Sequence, residues 1–282
     1  MRKLMIVGLA AFLFGSGTLS AAHYRLFVHG RSSDNHCTTS NWSSDVKNYW
    51  GGTVKGLSNV RYVGWDGKNH DAYSLSTCGA QRQMINAVKK FCTGSNTCDI
   101  YSHSTGGLVV GYFLRYYYNS SYRIKRVQNM ASAAGGSELA NISSGFAKAL
   151  GLVGWKTGLK VDNSVSTSGA RRWDHNNARG FTIYTTSGTG SDYFKLSSGF
   201  LPGYDDGVLA NHSLCSVNKV DSVDANCPRG NGRIRERYTC WKGWNPFARC
   251  NRYFYRWTPY YTVYQGGSKH SHSDAKKDYN RR

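Results

Sequence analysis

The chain has 282 residues, 40% of them apolar and 14% aromatic, and a formal charge of +20 at pH 7. That length suits one large domain with a substantial core, and no stretch beyond the N-terminal leader approaches the length of a membrane-spanning helix. The positive excess favours anionic partners: phospholipid head groups, acidic polysaccharide or nucleic acid.

Residues 1–22 read as a secretory signal peptide. Arg2 and Lys3 open it, Leu4 to Phe14 form an apolar run, and Ser20-Ala21-Ala22 supply small residues for cleavage. No cysteine stands at the cleavage point, which argues against a lipid anchor. The expected product is secreted or periplasmic, begins near His23 and folds over 23–282 as one domain. All eight cysteines (37, 78, 92, 98, 215, 227, 240 and 250) fall in that part. An even count in an exported chain implies disulfides, and the absence of a Cys-x-x-Cys pair disfavours zinc. Spacing favours Cys92–Cys98 and Cys240–Cys250, with Cys37–Cys78 and Cys215–Cys227 as the weaker pairs.

In chain order, Tyr24 to His29 alternates as a strand and stops at Gly30. A helix is expected around Asp45–Trp50, and Val60 to Trp65 reads as a second strand. Met84, Ile85, Val88 and Phe91 then recur at helical spacing. That helix leads into Asp99-Ile100-Tyr101-Ser102, a β-prone run that breaks at Ser104-Thr105-Gly106-Gly107 before apolar residues resume with helical spacing. The order strand, helix, strand, helix implies parallel strands with right-handed crossovers.

The break around Ser104 has the pattern of a nucleophile elbow. There the chain turns so sharply from strand to helix that the serine Oγ projects outward. Small residues must flank such a turn, and Ser102 and Gly106 hold those places. Serine at the first place departs from the usual glycine. The following helix would aim its free N–H groups at the site, suiting a developing oxyanion.

Beyond the elbow, Ile124 to Met130 reads as a strand, and a helix is expected from Glu138 toward Leu150. Residues 151–179 are rich in Gly, Ser and Asn and read as a loop or small cap. Phe181 to Thr185 restores a strand. Asp205-Asp206-Gly207 follows, and a carboxylate at a tight turn is what a catalytic acid requires. Asp206 is the preferred acid and Asp205 the alternative. Tyr260 to Tyr264 reads as the last strand, and Gly266-Gly267 as the opening of a loop. Downstream histidines eligible as base are His212, His270 and His272, with His272 preferred and His270 next.

With the pieces in this order, the chain resembles the α/β-hydrolase superfamily, specifically secreted lipases and esterases of bacterial type. The resemblance rests on Val28-His29-Gly30, Ser102 to Gly107, Asp206-Gly207-Val208 and His272-Ser273-Asp274, and spans about 24–220 and 258–275. It implies an α/β fold with a mostly parallel central sheet flanked by helices. It also implies Ser104 as nucleophile, His272 as base and Asp206 as the acid that orients it, with the N–H groups of Arg31 and Thr105 as oxyanion hole. The expected substrate is a hydrophobic or lipid ester, with no cofactor, no metal site and no specific nucleic-acid partner.

Residues 221–257 depart from that pattern as a disulfide-pinned, basic and aromatic insertion. Eight cations between Arg229 and Arg256 interleave with Tyr238, Trp241, Trp244, Phe247, Tyr253, Phe254, Tyr255 and Trp257. An anionic membrane surface, sugar stacking, single-stranded nucleic acid or simple aromatic packing all fit such a composition. Two other functions stay compatible with the whole sequence: acyl transfer by the same triad, and non-catalytic envelope or polysaccharide binding on a hydrolase scaffold.

Overall fold

The alternation of His23–Val28 makes a strand (β1) whose last residues are buried on both faces. Five more strands pair with it, directly or in turn: β2 (Val60–Val63), β3 (Thr97–His103), β4 (Ile124–Met130), β5 (Ile183–Gly188) and, late in the chain, β8 (Thr262–Ser268). They form one sheet in the order β2-β1-β3-β4-β5-β8, and every pairing in it is parallel. A computed structural model describes residues 20–32, 34–38, 41–43, 46–141, 158–171, 180–188, 190, 201, 205–210, 213, 233–255 and 262–280; for 187, 233–242, 249–255, 262–268 and 280 it describes the backbone alone.

Strand periodicity divides the core into two layers. Leu26, Val28, Ile100 and Val127 pack on one face of the sheet with α2 (Ala80–Phe91) and α3 (Thr105–Tyr116). Phe27, Tyr101 and Met130 pack on the other, with Trp50 of α1 (Lys47–Trp50) and Tyr279 of the C-terminal 3-10 helix Asp274–Asn280. Phe27 stacks on Tyr101 with ring centroids 5.0 Å apart. Each large apolar side chain buried this way contributes about 1.5–3 kcal/mol. α2 is amphipathic, burying Met84, Ala87, Val88 and Phe91. α3 is apolar nearly all round, because the sheet and α2 enclose it.

Two disulfides fasten this frame. Cys92–Cys98 joins the end of α2 to β3, and Cys37–Cys78 ties the loop after β1 to the segment before α2. Cys215 and Cys227 lie outside the described residues, as do the side chains of Cys240 and Cys250.

Several boundaries differ from the sequence reading. Two short helices, α4 (Lys160–Val165) and α5 (Thr167–Ala170), lie within the stretch read as a loop or small cap. Val161 and Val165, one turn apart, bury into the main core, and Ser166 caps α5 by accepting the Gly169 N–H. So short a repeat is masked by its Gly and Ser neighbours. Glu138–Asn141 is a 3-10 turn, and the expected continuation toward Leu150 lies outside the described residues. Gly266 and Gly267 belong to β8, which runs through to Ser268: parallel pairing of Gly267 with Ser187 and of Ser268 with Gly188 carries the strand past the glycine pair.

The insertion forms a separate antiparallel hairpin, β6 (Arg233–Lys242) and β7 (Asn245–Tyr255). Its tight turn is made possible by Gly243 at φ +58°, a conformation that costs glycine nothing.

Candidate active site

In an open parallel sheet, a crevice forms beyond the strand ends where chain order reverses. Here β1 is that point, flanked by β2 and β3, with Val28 opposite Ser102. The residues following β1 and β3 therefore meet at one edge.

Ser104 is the hinge between β3 and α3. Its φ of 56° and ψ of −128° lie outside the ordinary regions for a residue with a Cβ, a conformation that costs about 1–3 kcal/mol. Backbone bonds hold it: Ser104 N–H donates to Met130 O, and Ser104 O accepts from Gly107 and Ala133. A Cβ on Gly106 would lie 2.5 Å from Val28 O, and one on Gly107 would lie 2.0 Å from Ser132 Oγ. Neither position can carry a side chain. Ser102 fits the first flanking place because its hydroxyl has a use there, donating to Asn129 Oδ1 at 2.6 Å across the sheet.

The turn after β1 lies against the elbow. A Cβ on Gly30 would sit 2.6 Å from Ser104 Cβ. Gly30 C=O accepts from His29 Nδ1–H at 2.6 Å, while His29 Nε2 accepts the Trp65 N–H at 3.0 Å, which fixes the tautomer. A trans peptide holds C=O and N–H antiparallel, so the Arg31 N–H points away from His29. The Arg31 side chain is drawn to α4, where Nε and Nη2 pair with the two Asp162 oxygens at 2.6 and 3.1 Å.

His272 lies after β8, and its Nδ1–H donates to Asp206 Oδ2 at 2.8 Å. The other Asp206 oxygen accepts the N–H groups of Val208 and Leu209 at 3.0 and 2.8 Å. Asp206 O accepts the His272 N–H at 3.0 Å. Gly207, at φ +91°, makes that turn. With Nδ1 committed, Nε2 is the nitrogen left for the cavity. Asp205 instead caps its own turn through Gly207 N–H, and His270 Nδ1 lies 3.3 Å from Asp278. His212 lies outside the described residues. Asp206 stands at the tight turn the sequence predicts, and residues 202–204 before it lie outside the described residues.

Ser104, Thr105, Arg31 and His272 line one cavity of about 190 Å³, with Val208 and Leu209 on its apolar side. α3 presents its N-terminus there, and the Thr105 N–H belongs to its unpaired first turn. Among the described residues, no group of three or more His, Cys, Asp or Glu could hold a metal.

Sequence reasoning gave no role to His103 and Tyr49. His103 is buried between Ser102 and Ser104, its Nε2 2.7 Å from His272 O and its Nδ1 2.6 Å from the Tyr49 hydroxyl. Because a carbonyl can only accept, Nε2 carries the proton and Tyr49 donates to Nδ1. The one available signal was an imidazole inside an otherwise small-residue elbow.

Burial first, and His36 second, lower the His29 pKa to about 3; burial and then His272 hold His103 well below its ordinary value. Both are neutral when folded, whereas in the unfolded chain they titrate near 6.5. Below that pH the unfolded state binds more protons, so stability falls by about 1.4 kcal/mol per pH unit for each histidine. Urea unfolding between pH 7 and pH 5 should show this decline, and His103→Gln should remove one histidine's share of the slope. A flat profile over that window would contradict the assignment.

No protein-family model matches the chain, and no curated protein matches it by sequence. Solved structures do. The mature form of the Bacillus licheniformis lipase BlEst2 aligns with a TM-score of 0.51 at 14% identity, covering 92% of this chain and 88% of that one. The phospholipase PlaB from Legionella pneumophila aligns with a TM-score of 0.49 at 15% identity, covering 86% of this chain. This chain spans about half (52%) of PlaB. With its parallel sheet, its flanking helices and its match to a lipase over nearly its full length, the chain has the α/β-hydrolase fold.

Proposed function

We propose that the chain is a secreted serine hydrolase of carboxylic esters, acting through an acyl-enzyme on hydrophobic or lipid esters. The observation that carries this reading is one cavity shared by a strained serine at a helix N-terminus and an imidazole held by a buried carboxylate. Ser104 Oγ attacks the ester carbonyl carbon and passes its proton to His272 Nε2. Asp206 keeps the imidazole in its Nδ1–H tautomer and stabilises the imidazolium. The N–H groups of Arg31 and Thr105 receive the oxyanion. His272 then protonates the departing alcohol, and water repeats the sequence to release the acid. The leader pattern and two disulfides support an exported protein.

A fluorophosphonate probe tests the reading directly. It should label the protein at Ser104, in parallel with loss of p-nitrophenyl ester hydrolysis. Absence of labelling in a protein shown to be folded would reject the enzyme.

The same proposal makes the hairpin a docking element for anionic lipid. Trp244 at its turn is fully exposed and Phe247 close by is 66% exposed, offering aromatic surface to a partner. Arg233, Arg235 and Arg237 recur at every second position of β6. Indole rings settle among head groups, and each Lys or Arg near an anionic bilayer contributes about 1 kcal/mol. Replacing Arg233, Arg235 and Arg237 by Glu should therefore weaken binding to phosphatidylserine vesicles by more than tenfold at low salt. Hydrolysis of a soluble ester should be unaffected. Equal binding by the variant and the original protein would remove the hairpin from this role.

A further inference from the structure

The catalytic reading leaves two polar side chains beside the elbow unused, His103 buried and Tyr49 partly buried. We infer that Tyr49 and His103 form a positioning brace that holds the base loop and the oxyanion turn in register with Ser104. The inference rests on the hydrolase reading and adds to it two residues that border the same cavity and act through the loops they hold.

The chain of contacts begins at the turn after β1. The Tyr49 hydroxyl is packed against Gly30, where a Cβ would lie 2.5 Å from Oη. That hydroxyl donates to His103 Nδ1 at 2.6 Å. His103 Nε2–H donates to the carbonyl oxygen of His272 at 2.7 Å, and the two imidazoles lie 4.8 Å apart. Four residues beyond His272, Lys276 Nζ donates back to Tyr49 O at 2.8 Å and lies over the Tyr49 ring. The base segment is thus tied to Tyr49 twice, once through His103 and once through Lys276. His103 immediately precedes Ser104, so any shift of the brace moves the nucleophile, the Gly30–Arg31 peptide and the base relative to one another.

The chemistry of the two residues suits rigidity. Tyr49 is a phenol kept protonated, since burial raises its pKa. His103 stays neutral, so it presents one donor and one acceptor in fixed directions, and both are used. A hydrogen-bonded network with every member satisfied specifies one arrangement. Placement errors of about 1 Å at a reacting group cost on the order of 100-fold in rate. Asp206 sets the ring orientation of His272 through Nδ1 and accepts its backbone N–H, whereas the brace holds its carbonyl oxygen. The two supports grip different atoms.

The test uses the full exported chain with a soluble p-nitrophenyl ester. Tyr49→Phe keeps the ring and deletes the donor to His103. It should lower kcat about tenfold, leaving KM within twofold and the thermal midpoint almost unchanged. His103→Leu should lower kcat more, by about 100-fold, whereas His103→Gln, which can still accept from Tyr49 and donate to His272 O, should recover most of the loss. Tyr49→Phe combined with His103→Leu should be no slower than His103→Leu alone, because both break one device. Unchanged kcat in Tyr49→Phe overturns the brace, and so does a fall in kcat that follows the loss of thermal stability across the series. Fluorophosphonate labelling of the unmodified protein keeps the two ideas apart. Labelling at Ser104 with indifferent variants sinks the brace alone; no labelling sinks the hydrolase reading.

Discussion

Ser104→Ala should lose ester hydrolysis by about four to six orders of magnitude while folding normally. Removing a nucleophile of this kind leaves only the oxyanion donors and binding to act on the substrate. The elbow should survive, because its fixing bonds are backbone bonds from Ser104 to Met130, Gly107 and Ala133. A companion variant separates strain from chemistry. Alanine at φ 56° meets the same steric conflict as serine, whereas glycine does not. Ser104→Gly should be equally inactive yet more stable than Ser104→Ala, by about 1 kcal/mol, in urea unfolding at pH 7. Hydrolysis by either variant within tenfold of the original rate would remove Ser104 from the mechanism.

How much of this could be read from the sequence differs by residue, and the reasons are physical. The elbow was legible because it combines a period-2 run, a helical run and three small residues within a few positions, all demanded by local sterics. The first strand was legible for the same reason, since Tyr24, Leu26 and Val28 alternate along it. α4 and α5 were not, because only two valines in eleven residues mark them and the rest of their stability comes from contacts distant in sequence. Gly266 and Gly267 misled in the opposite sense: a glycine pair signals a turn, but the pairing partner on β5 decided the outcome. Between Asp205 and Asp206, or His270 and His272, sequence could only express a preference. Neighbouring residues share composition, and a two-residue step in a loop changes direction in ways that tertiary packing alone sets. Tyr49 and His103 lie 54 positions apart, so no local pattern could join them.

The acid offers the sharper second test, because the geometry dictates what an amide would do there. Asp206→Asn is nearly isosteric and should fold. Its oxygen should occupy the position of Oδ1, since the Val208 and Leu209 N–H groups point there and can only donate. The amide NH2 is then left facing His272 Nδ1 at the place now held by Oδ2. Two donors cannot share that contact, so the imidazole must accept at Nδ1 and carry its proton on Nε2. In that tautomer it cannot take a proton from Ser104, and turnover should drop about 10⁴-fold with KM little changed. His272→Ala should lose at least as much, and combining it with Ser104→Ala should add nothing further, because the members act as one unit. His270→Ala, which leaves the Asp206 pair intact, should stay within about tenfold of the original rate. A large loss in His270→Ala alongside a small one in His272→Ala would transfer the base two residues upstream. An Asp206→Asn variant that turns over normally would show that His272 needs no partner at Nδ1, and the triad would reduce to a serine and a histidine.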